Sequence, residues 1–508
     1  ALVIAAILVT EVERDPDFWW HLQTGQLLLA NHLNLLGNDP YTYTVSAHHW
    51  TMHEWLFEVL VAVIYNSGGL GAIVAALSLL TWLGIVAILL RARFHTRNRL
   101  ALGMAVIVGV VAANPIWGPR DQMIDFTFSC ALLLVVERYL CRGGRILWLL
   151  PPLFLLWTNL HGGFVIGLSF LGLIAVAEAA GLRLGLPEPV PPRRCGWLAL
   201  TGVGCLLVAT INPNGPGILL YAWQTVSSPA QQALIQEWQS PNFHLEAVRP
   251  FAVMLVSLAG FLIVNRRLRA RDAVLVAATA ALSLESARNI ALFVAAATPA
   301  YAEQLALLLE RLRGGLDARR RQLPPFGFRV GVLAAVSVLL IGGYAGLRLV
   351  PAVTTSPQAL TYAQTYPVCA AQWLRSGPRD LRIFNQYGEG GYLAWSLAGT
   401  GDKVFIFGDA ALMGDSLLYT YSDVVNVEPG WENTLEGYGT QVVLGDTGTA
   451  FDQVLRQSPR WMLVYHDPLS DAFVLRSERA ALNLPAQPTP TGTCAQLAAT
   501  GLPAASSQ

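Results

Sequence analysis

From residue 70 to about residue 350 the chain returns repeatedly to apolar runs of roughly membrane-spanning length. They lie near 70–90, 100–118, 124–141, 146–158, 163–182, 196–212, 248–265, 272–286, 288–308 and 327–350. With a partial run at 1–10, this pattern predicts about eleven helices. No other feature limits the fold as strongly. In hydrocarbon, backbone polar groups must bond within the protein, and a run of about 20 apolar residues meets that demand as a helix. Composition agrees: 54% of residues are hydrophobic and 13% charged, with mean hydropathy +0.46, where soluble domains carry about 25% charge. The formal net charge is zero, which argues against a nucleic-acid partner.

The first run is too short to span and reads as the end of a helix that begins further upstream. The segment EWLFEVLVAVIYN, 54–66, is apolar but also short. It reads as a helix at or partly in the membrane, leading into the run at 70–90. Arginine placement sets the expected orientation. Alternate connections carry Arg91, Arg93, Arg97 and Arg99, then Arg138, Arg142 and Arg145, then Arg183, Arg193 and Arg194. Arg266, Arg267, Arg269 and Arg271 follow, and then a group from Arg311 to Arg329. The opposite side holds only Arg14, Arg120, Arg249, Arg288 and Arg348. The loaded side is expected to be cytoplasmic. The connections at 11–53, 119–123, 159–163, 213–247 and 285–288 then face outward, as does everything after 350.

From about 351 the composition shifts. Helices are expected near 368–376 and 449–457, and strands near 381–384, 403–407 and 461–465, with a last strand in DAFVLRS. This alternation predicts a small α/β domain over 351–482, followed by a loose tail at 483–508. Cys369 and Cys494 are the cysteines of this region. An external compartment permits a bond between them, and two unpaired thiols are the alternative. Cys130, Cys141, Cys195 and Cys205 lie in or beside the helices without metal-type spacing and read as packing residues.

Three polar constellations stand on the outer side. The first is TEVERDPDFWWHLQTGQ, 10–26, where Asp15 and Asp17 precede Trp19, Trp20 and His21. A carboxylate beside aromatic rings at a membrane boundary loses hydration and gains basicity. The bland reading is a helix end marked by acids, with the tryptophans in the aromatic belt. The second is SAHHWTMHEW, with His48, His49, His53 and Glu54. It could hold a divalent cation, although the spacing matches no standard motif. The third gathers Arg120-Asp121-Gln122, Asn159, His161, Asn212, Glu237, Glu285 and Arg288 from outer helix ends. Such groups are costly near lipid and are expected to share a cavity, with the arginines paired to acids or clamping a phosphate. The glycines of YGEGGYLAW and HGGF read as tight-turn material.

With these residues in view, DPDFWWHLQTGQLLLANHLNLLGNDPYTYT resembles the first outer loop of GT-C glycosyltransferases. It is similar to the bacterial mannosyltransferase-like, RgtA-like branch, and its beginning resembles oligosaccharyltransferase catalytic subunits. WTNLHGGFVIGL, INPNG, EWQSP, ARNIALF, FNQYGEGGYLAWSL and KVFIFGDAALMG extend the resemblance along most of the chain. It implies a mainly α fold, a polytopic transmembrane helix bundle over 1–350 with an extracytoplasmic α/β domain behind it, in a bacterial cytoplasmic membrane. It implies inverting transfer from a polyprenyl-phosphate sugar at an outward-facing cavity. Asp15, with Asp17 next to it, would act as base or metal ligand. No cofactor is fixed by these motifs; where Asp15 acts as a metal ligand, a divalent cation such as magnesium or manganese could be held. Arg120, His161 and Arg288 would face the donor phosphate, and His21, Glu54, Asn159, Glu237 and Glu285 would line the cavity. One departure is that Phe407 and Asp409 stand where such relatives tend to carry Asp and Arg.

Two rivals remain. A GT-C-like scaffold could serve as a non-catalytic subunit among other membrane subunits, which the altered 407–409 segment favours. A transporter or flippase would instead place its charged groups at mid-membrane.

Overall fold

The computed structural model describes residues 1–10, 15–184, 190–317 and 362–499, with the isolated positions Gly343 and Leu347. The run expected at 327–350 lies outside the described residues. The chain divides into two compact units. One comprises Ala1–Glu13, Gly71–Trp223 and Gln236–Thr354; the other comprises Arg14–Leu70, Gln224–Ile235 and Thr355–Gln508.

The first unit is helical. Its elements are α1 (Leu2–Leu8), the second part of α3 (Trp55–Ala92), α4 (Arg99–Ala112), α5 (Gln122–Arg142), α6 (Leu150–Leu160), α7 (Phe164–Leu184) and α8 (Pro192–Ala209). Most of α9 (Gly217–Val226) follows, then α11 (Arg249–Asn265), α12 (Ala270–Glu285) and α13 (Ile290–Asp317). Local sequence marks the starts. Asn98 accepts from the Leu100 and Ala101 N–H groups at 3.1 Å to cap α4, and α6 and α8 carry proline in their first positions, where its missing N–H costs nothing. Among the described residues three segments, Trp55–Ala92, Phe164–Leu184 and Ala287–Leu312, are long and apolar enough to cross a membrane. Arg99–Ala112, Ile146–Leu160 and Arg249–Asn265 are shorter apolar helices. Small residues set the closest packing. A Cβ at Gly109 of α4 would come within 2.7 Å of Thr298 Oγ1 on α13, as expected where helix backbones approach closely.

The second unit holds α2 (Phe18–Ala30), the first part of α3, and α10 (Pro229–Leu234). Its remaining helices are α14 (Val368–Arg375), α15 (Gly390–Ser396), α16 (Ala410–Val425), α17 (Trp431–Gly437), α18 (Ala450–Gln457), α19 (Arg479–Leu482) and α20 (Gly492–Ala499). They surround a sheet of β1 (Arg382–Phe384), β2 (Lys403–Val404), β3 (Val442–Asp446), β4 (Trp461–His466) and β5 (Ser470–Leu475). The order is β2-β1-β3-β5-β4; β1 runs parallel to β2 and β3, and β5 antiparallel to β3 and β4. The strand expected at 403–407 ends at Val404: Phe405, Ile406 and Phe407 are buried by side-chain packing rather than by ladder bonds.

The segment 11–53 is only partly a loop, since α2 lies inside it. Its second half extends the sheet. Tyr43 N–H donates to Val404 O at 3.3 Å and Val404 N–H donates to Tyr41 O at 3.0 Å, while Lys403 Nζ donates to Pro40 O. A disulfide joins Cys369 to Cys494, so the stretch after 482 is tied to α14 through α20. Cys130 and Cys205 are buried, whereas Cys141 is exposed.

Candidate functional site

In the second unit, Asp15 opens the turn into α2. Its Oδ1 accepts from the Asp17 N–H at 3.0 Å, and its own carbonyl accepts from the Tyr366 hydroxyl at 3.1 Å. Asp15 is buried and Asp17 half-buried; Glu11 and Glu13 lie outside the described residues. Asp17 Oδ1 accepts from Trp20 Nε1 at 3.3 Å. Opposite it stands Gly408, where a Cβ would lie 1.6 Å from that oxygen. The tryptophans are buried rather than lipid-facing: Trp19 packs against Tyr362, Tyr366, Tyr392 and Trp395, and Trp20 against Trp50 and Phe407.

Behind Trp20 lies a buried acid–imidazole group. His21 Nε2 is 3.5 Å from Glu54 Oε2 and Nδ1 is 3.8 Å from Glu58 Oε1, and His53 Nε2 reaches Glu54 Oε1 at 2.6 Å. His48 and His49 are exposed, and His49 Nδ1 lies 3.1 Å from Gly37 O. His49 and His53 therefore have different partners. Phe407 packs against Trp20, Tyr41 and Trp50. Asp409 Oδ2 accepts from Trp50 Nε1 at 2.8 Å, and Oδ1 caps α16 through the Leu412 N–H at 3.1 Å. Burial raises the Asp409 carboxyl above the usual aspartate range, opposed by the His53 charge and the Leu412 N–H. The segment that departs from the expected pattern is thus committed to packing and capping.

In the first unit, His161 lies between two carboxylates. Its Nε2 is 2.8 Å from Asp121 Oδ2 and its Nδ1 2.7 Å from Asp125 Oδ2, and Trp157 Nε1 donates to Asp125 Oδ1 at 2.7 Å. A Cβ at Gly163 would fall 2.1 Å from the Asp125 carboxyl. Arg120 pairs with Glu237. Arg288 stacks its guanidinium 4.6 Å over the Trp238 ring. Asn159 Nδ2 donates to Leu155 O at 2.8 Å and to Ile211 O at 3.0 Å, tying α6 to the INPNG turn; Asn212 Oδ1 accepts from the Asn214 N–H at 2.8 Å within that turn. Glu285 is exposed.

No protein-family model matches the sequence, and no curated protein does. Solved structures do. The oligosaccharyltransferase AglB from Archaeoglobus fulgidus, in complex with an inhibitory peptide and a dolichol-phosphate, superposes with TM-score 0.55 at 12% identity over 88% of this chain and 69% of its own. The A. fulgidus oligosaccharyltransferase tethered to an acceptor peptide gives 0.53 at 14% identity, over 88% of this chain and 68% of its own. ArnT from Cupriavidus metallidurans, bound to undecaprenyl phosphate, gives 0.51 at 15% identity over 96% of this chain and 97% of its own.

The chain has the GT-C fold. Among the described residues three helices are long and apolar enough to cross a membrane, and together with this fold they fit a membrane protein.

Within the GT-C fold the expected site residues fall into two sets. Asp15, Asp17, His21, His49, His53 and Glu54 belong to the second unit, and Arg120, Asn159, His161, Glu237, Glu285 and Arg288 to the first. Within each set some pairs meet: Arg120 pairs with Glu237, His21 with Glu54, and Asp17 N–H with Asp15, while His49 and Glu285 are exposed. Asp125 and Glu58 were not singled out from sequence. Both sit one helical turn beyond a residue that was, at i+4 from Asp121 and Glu54, and that spacing was the available signal. Gly162 and Gly163 of HGGF do form the turn between α6 and α7, whereas Gly390 and Gly391 of YGEGGYLAW lie inside α15; none of these glycines has positive φ. At Gly163, Gly390 and Gly391 a neighbour comes too close for a Cβ. At Gly390 a Cβ would meet Ile406 O at 1.9 Å, and at Gly391 Pro16 O at 2.8 Å.

Proposed function

We propose that this chain is a membrane glycosyltransferase that moves a sugar from a polyprenyl-phosphate donor to an acceptor at the outer face of the membrane. The observation that carries this reading is the fold shared with ArnT over nearly the full length of both chains. ArnT is seen with undecaprenyl phosphate, and AglB with dolichol-phosphate. The arrangement of the candidate residues supports it. Asp15 is a buried carboxylate held by its own turn, suited to accept a proton from an acceptor hydroxyl or to hold a divalent cation such as magnesium or manganese. Arg120 and Arg288 are cations suited to a departing lipid phosphate. In this reading the arginine-loaded connections face the cytoplasm and the α/β region lies outside.

Asp15→Asn is expected to abolish transfer from an undecaprenyl-phosphate-linked sugar. Its side-chain oxygen still accepts from the Asp17 N–H, so folding and expression should be unchanged. Transfer retained in this variant would refute the role given to Asp15.

A second reading, a non-catalytic GT-C-like subunit of a larger membrane assembly, draws on the 407–409 segment, where Phe407 fills an aromatic cluster and Asp409 caps a helix. Purification separates the two readings. A chain that leaves the membrane only with fixed partners, and retains no polyprenyl phosphate, supports the subunit.

A further inference from the structure

His161 stands at the turn between α6 and α7, with a carboxylate at each ring nitrogen, Asp121 at 2.8 Å and Asp125 at 2.7 Å. All three residues are buried. At these separations each contact needs a proton between nitrogen and oxygen, because two lone pairs that close repel. A neutral imidazole carries one N–H and can supply only one of the two protons. A neutral histidine flanked by two ionised aspartates therefore leaves one contact unbonded.

We infer that Asp121, His161 and Asp125 hold two protons between them at neutral pH, with His161 as the imidazolium, and that Asp125 is a positioning residue for Asp121 and the head of α5. Asp125 is itself fixed, by Trp157 Nε1 on its other oxygen and by the missing Cβ at Gly163. The Gly163 N–H also approaches Nδ1, at 3.3 Å. That contact asks for a lone pair on Nδ1, but it is the longer of the two, and a charge-assisted bond to carboxylate outweighs a neutral one. Asp121 immediately follows Arg120 and flanks the start of α5. Holding the Asp121 carboxylate therefore holds the backbone from which Arg120 projects. His161 is in consequence a post engaged by its two aspartates rather than a phosphate ligand. The link to Arg120 and donor phosphate rests on the proposed function; the protonation does not.

The test is nitrogen-15 NMR of the full chain in nanodiscs with labelled histidine, His161 being assigned from the signal lost in His161→Gln. At pH 8, where an ordinary imidazole of pKa about 6.5 is neutral, both His161 ring nitrogens are expected to be protonated. In Asp125→Asn one of them becomes unprotonated, since the amide can donate to Nδ1 while Nε2–H stays on Asp121. A wild-type His161 with one unprotonated nitrogen at pH 8 overturns the inference. If Asp125→Asn fails to fold, Asp121→Asn is expected to give the same spectral change, and its absence counts against the trio. Undecaprenyl-phosphate binding supplies the second readout. Asp125→Asn should weaken it about tenfold, the size expected for one charged hydrogen-bond partner, with the yield of folded protein unchanged; equal affinity overturns the positioning role. A wild type that binds no undecaprenyl phosphate overturns the proposed function alone, and the spectrum then decides the trio by itself.

Discussion

Glu389 shows how far burial can act on a single carboxyl. It is buried and hydrogen-bonded to the Asp446 side chain, and among the described residues its Oε2 has no hydrogen-bond partner. Burial pushes its pKa well above the usual glutamate range, and the charges of Asp446 and Asp467 push the same way. The folded chain thus keeps a proton that the unfolded chain releases above about pH 4.3. Folding takes up a proton across that window, so stability falls as pH rises from the unfolded value toward the folded one. Glu389→Gln removes the titration. The variant should match wild type near pH 4 and melt at a higher temperature at pH 8; no gain at pH 8 would show that Glu389 is ionised in the fold. The residue scale is also where sequence says least. The glycine at 163 reads only as a turn residue, and the one at 408 gives no signal, because the carboxylates that need their space, Asp125 and Asp17, lie 38 and 391 positions away along the chain. A missing side chain carries no record of which neighbour required its absence.

At the scale of elements, α3 shows what pattern can and cannot predict. The apolar run 54–66 ends in Asn-Ser-Gly-Gly, and the next run begins at 70, so two helices were legible. The structure joins them as Trp55–Ala92 with a break at Gly68 and Gly69. Gly69 has φ 63° and ψ −158°, a region open essentially to glycine alone. The break also coincides with the boundary between the two compact units. Gly69→Ala is expected to cost about 1–3 kcal/mol, read as a lower midpoint in thermal unfolding of the purified chain. An unchanged midpoint would mean that the joint tolerates a side chain and the break has another cause. In the α/β region the elements with amphipathic or flanked patterns were legible: α14, α18, β4 and β5 fall within a residue or two of expectation. The central strand β3 was not. Its residues Val442, Val443 and Leu444 are all fully buried, so it lacks the alternation of a half-exposed strand and offers only a short apolar run. Helix α2 was hidden for a related reason. Most of its faces are buried against other parts of the second unit, and Phe18, Trp19, Trp20, His21, Leu22, Thr24, Gly25 and Leu28 leave no polar stripe to set a helical period.

Over the whole molecule the arginine bias turns out to have two causes. Read from sequence, the loaded connections served only to orient the bundle. The structure buries two of those arginines, Arg91 and Arg271, and half-buries a third, Arg269. Glu137 of α5 receives Arg271 at 2.8 Å and Arg269 at 3.2 Å, with Arg91 at 3.7 Å. Arg91 also reaches Asp272 at 3.2 Å, and Arg271 reaches Glu178 at 2.8 Å. His95 stands among Glu137, Asp272 and Glu303. Carboxylates and arginines therefore come close to balance in one buried network that ties α3, α5, α7, α12 and α13 together within the first unit. A divalent ion would compete there with three guanidinium groups, so structural pairing is the stronger reading. The two kinds of arginine should respond differently to loss of a partner. Removing one member of a buried pair leaves an uncompensated charge and costs about 3–5 kcal/mol, whereas an exposed pair contributes about 1 kcal/mol or less. Glu137→Gln is accordingly expected to lower the unfolding midpoint sharply or prevent accumulation of folded protein. Glu246→Gln, which breaks the exposed pair with Arg249, should leave the midpoint nearly unchanged. Equal, small effects for both variants in the same detergent would mean that the buried network is hydrated and that the arginines serve orientation alone.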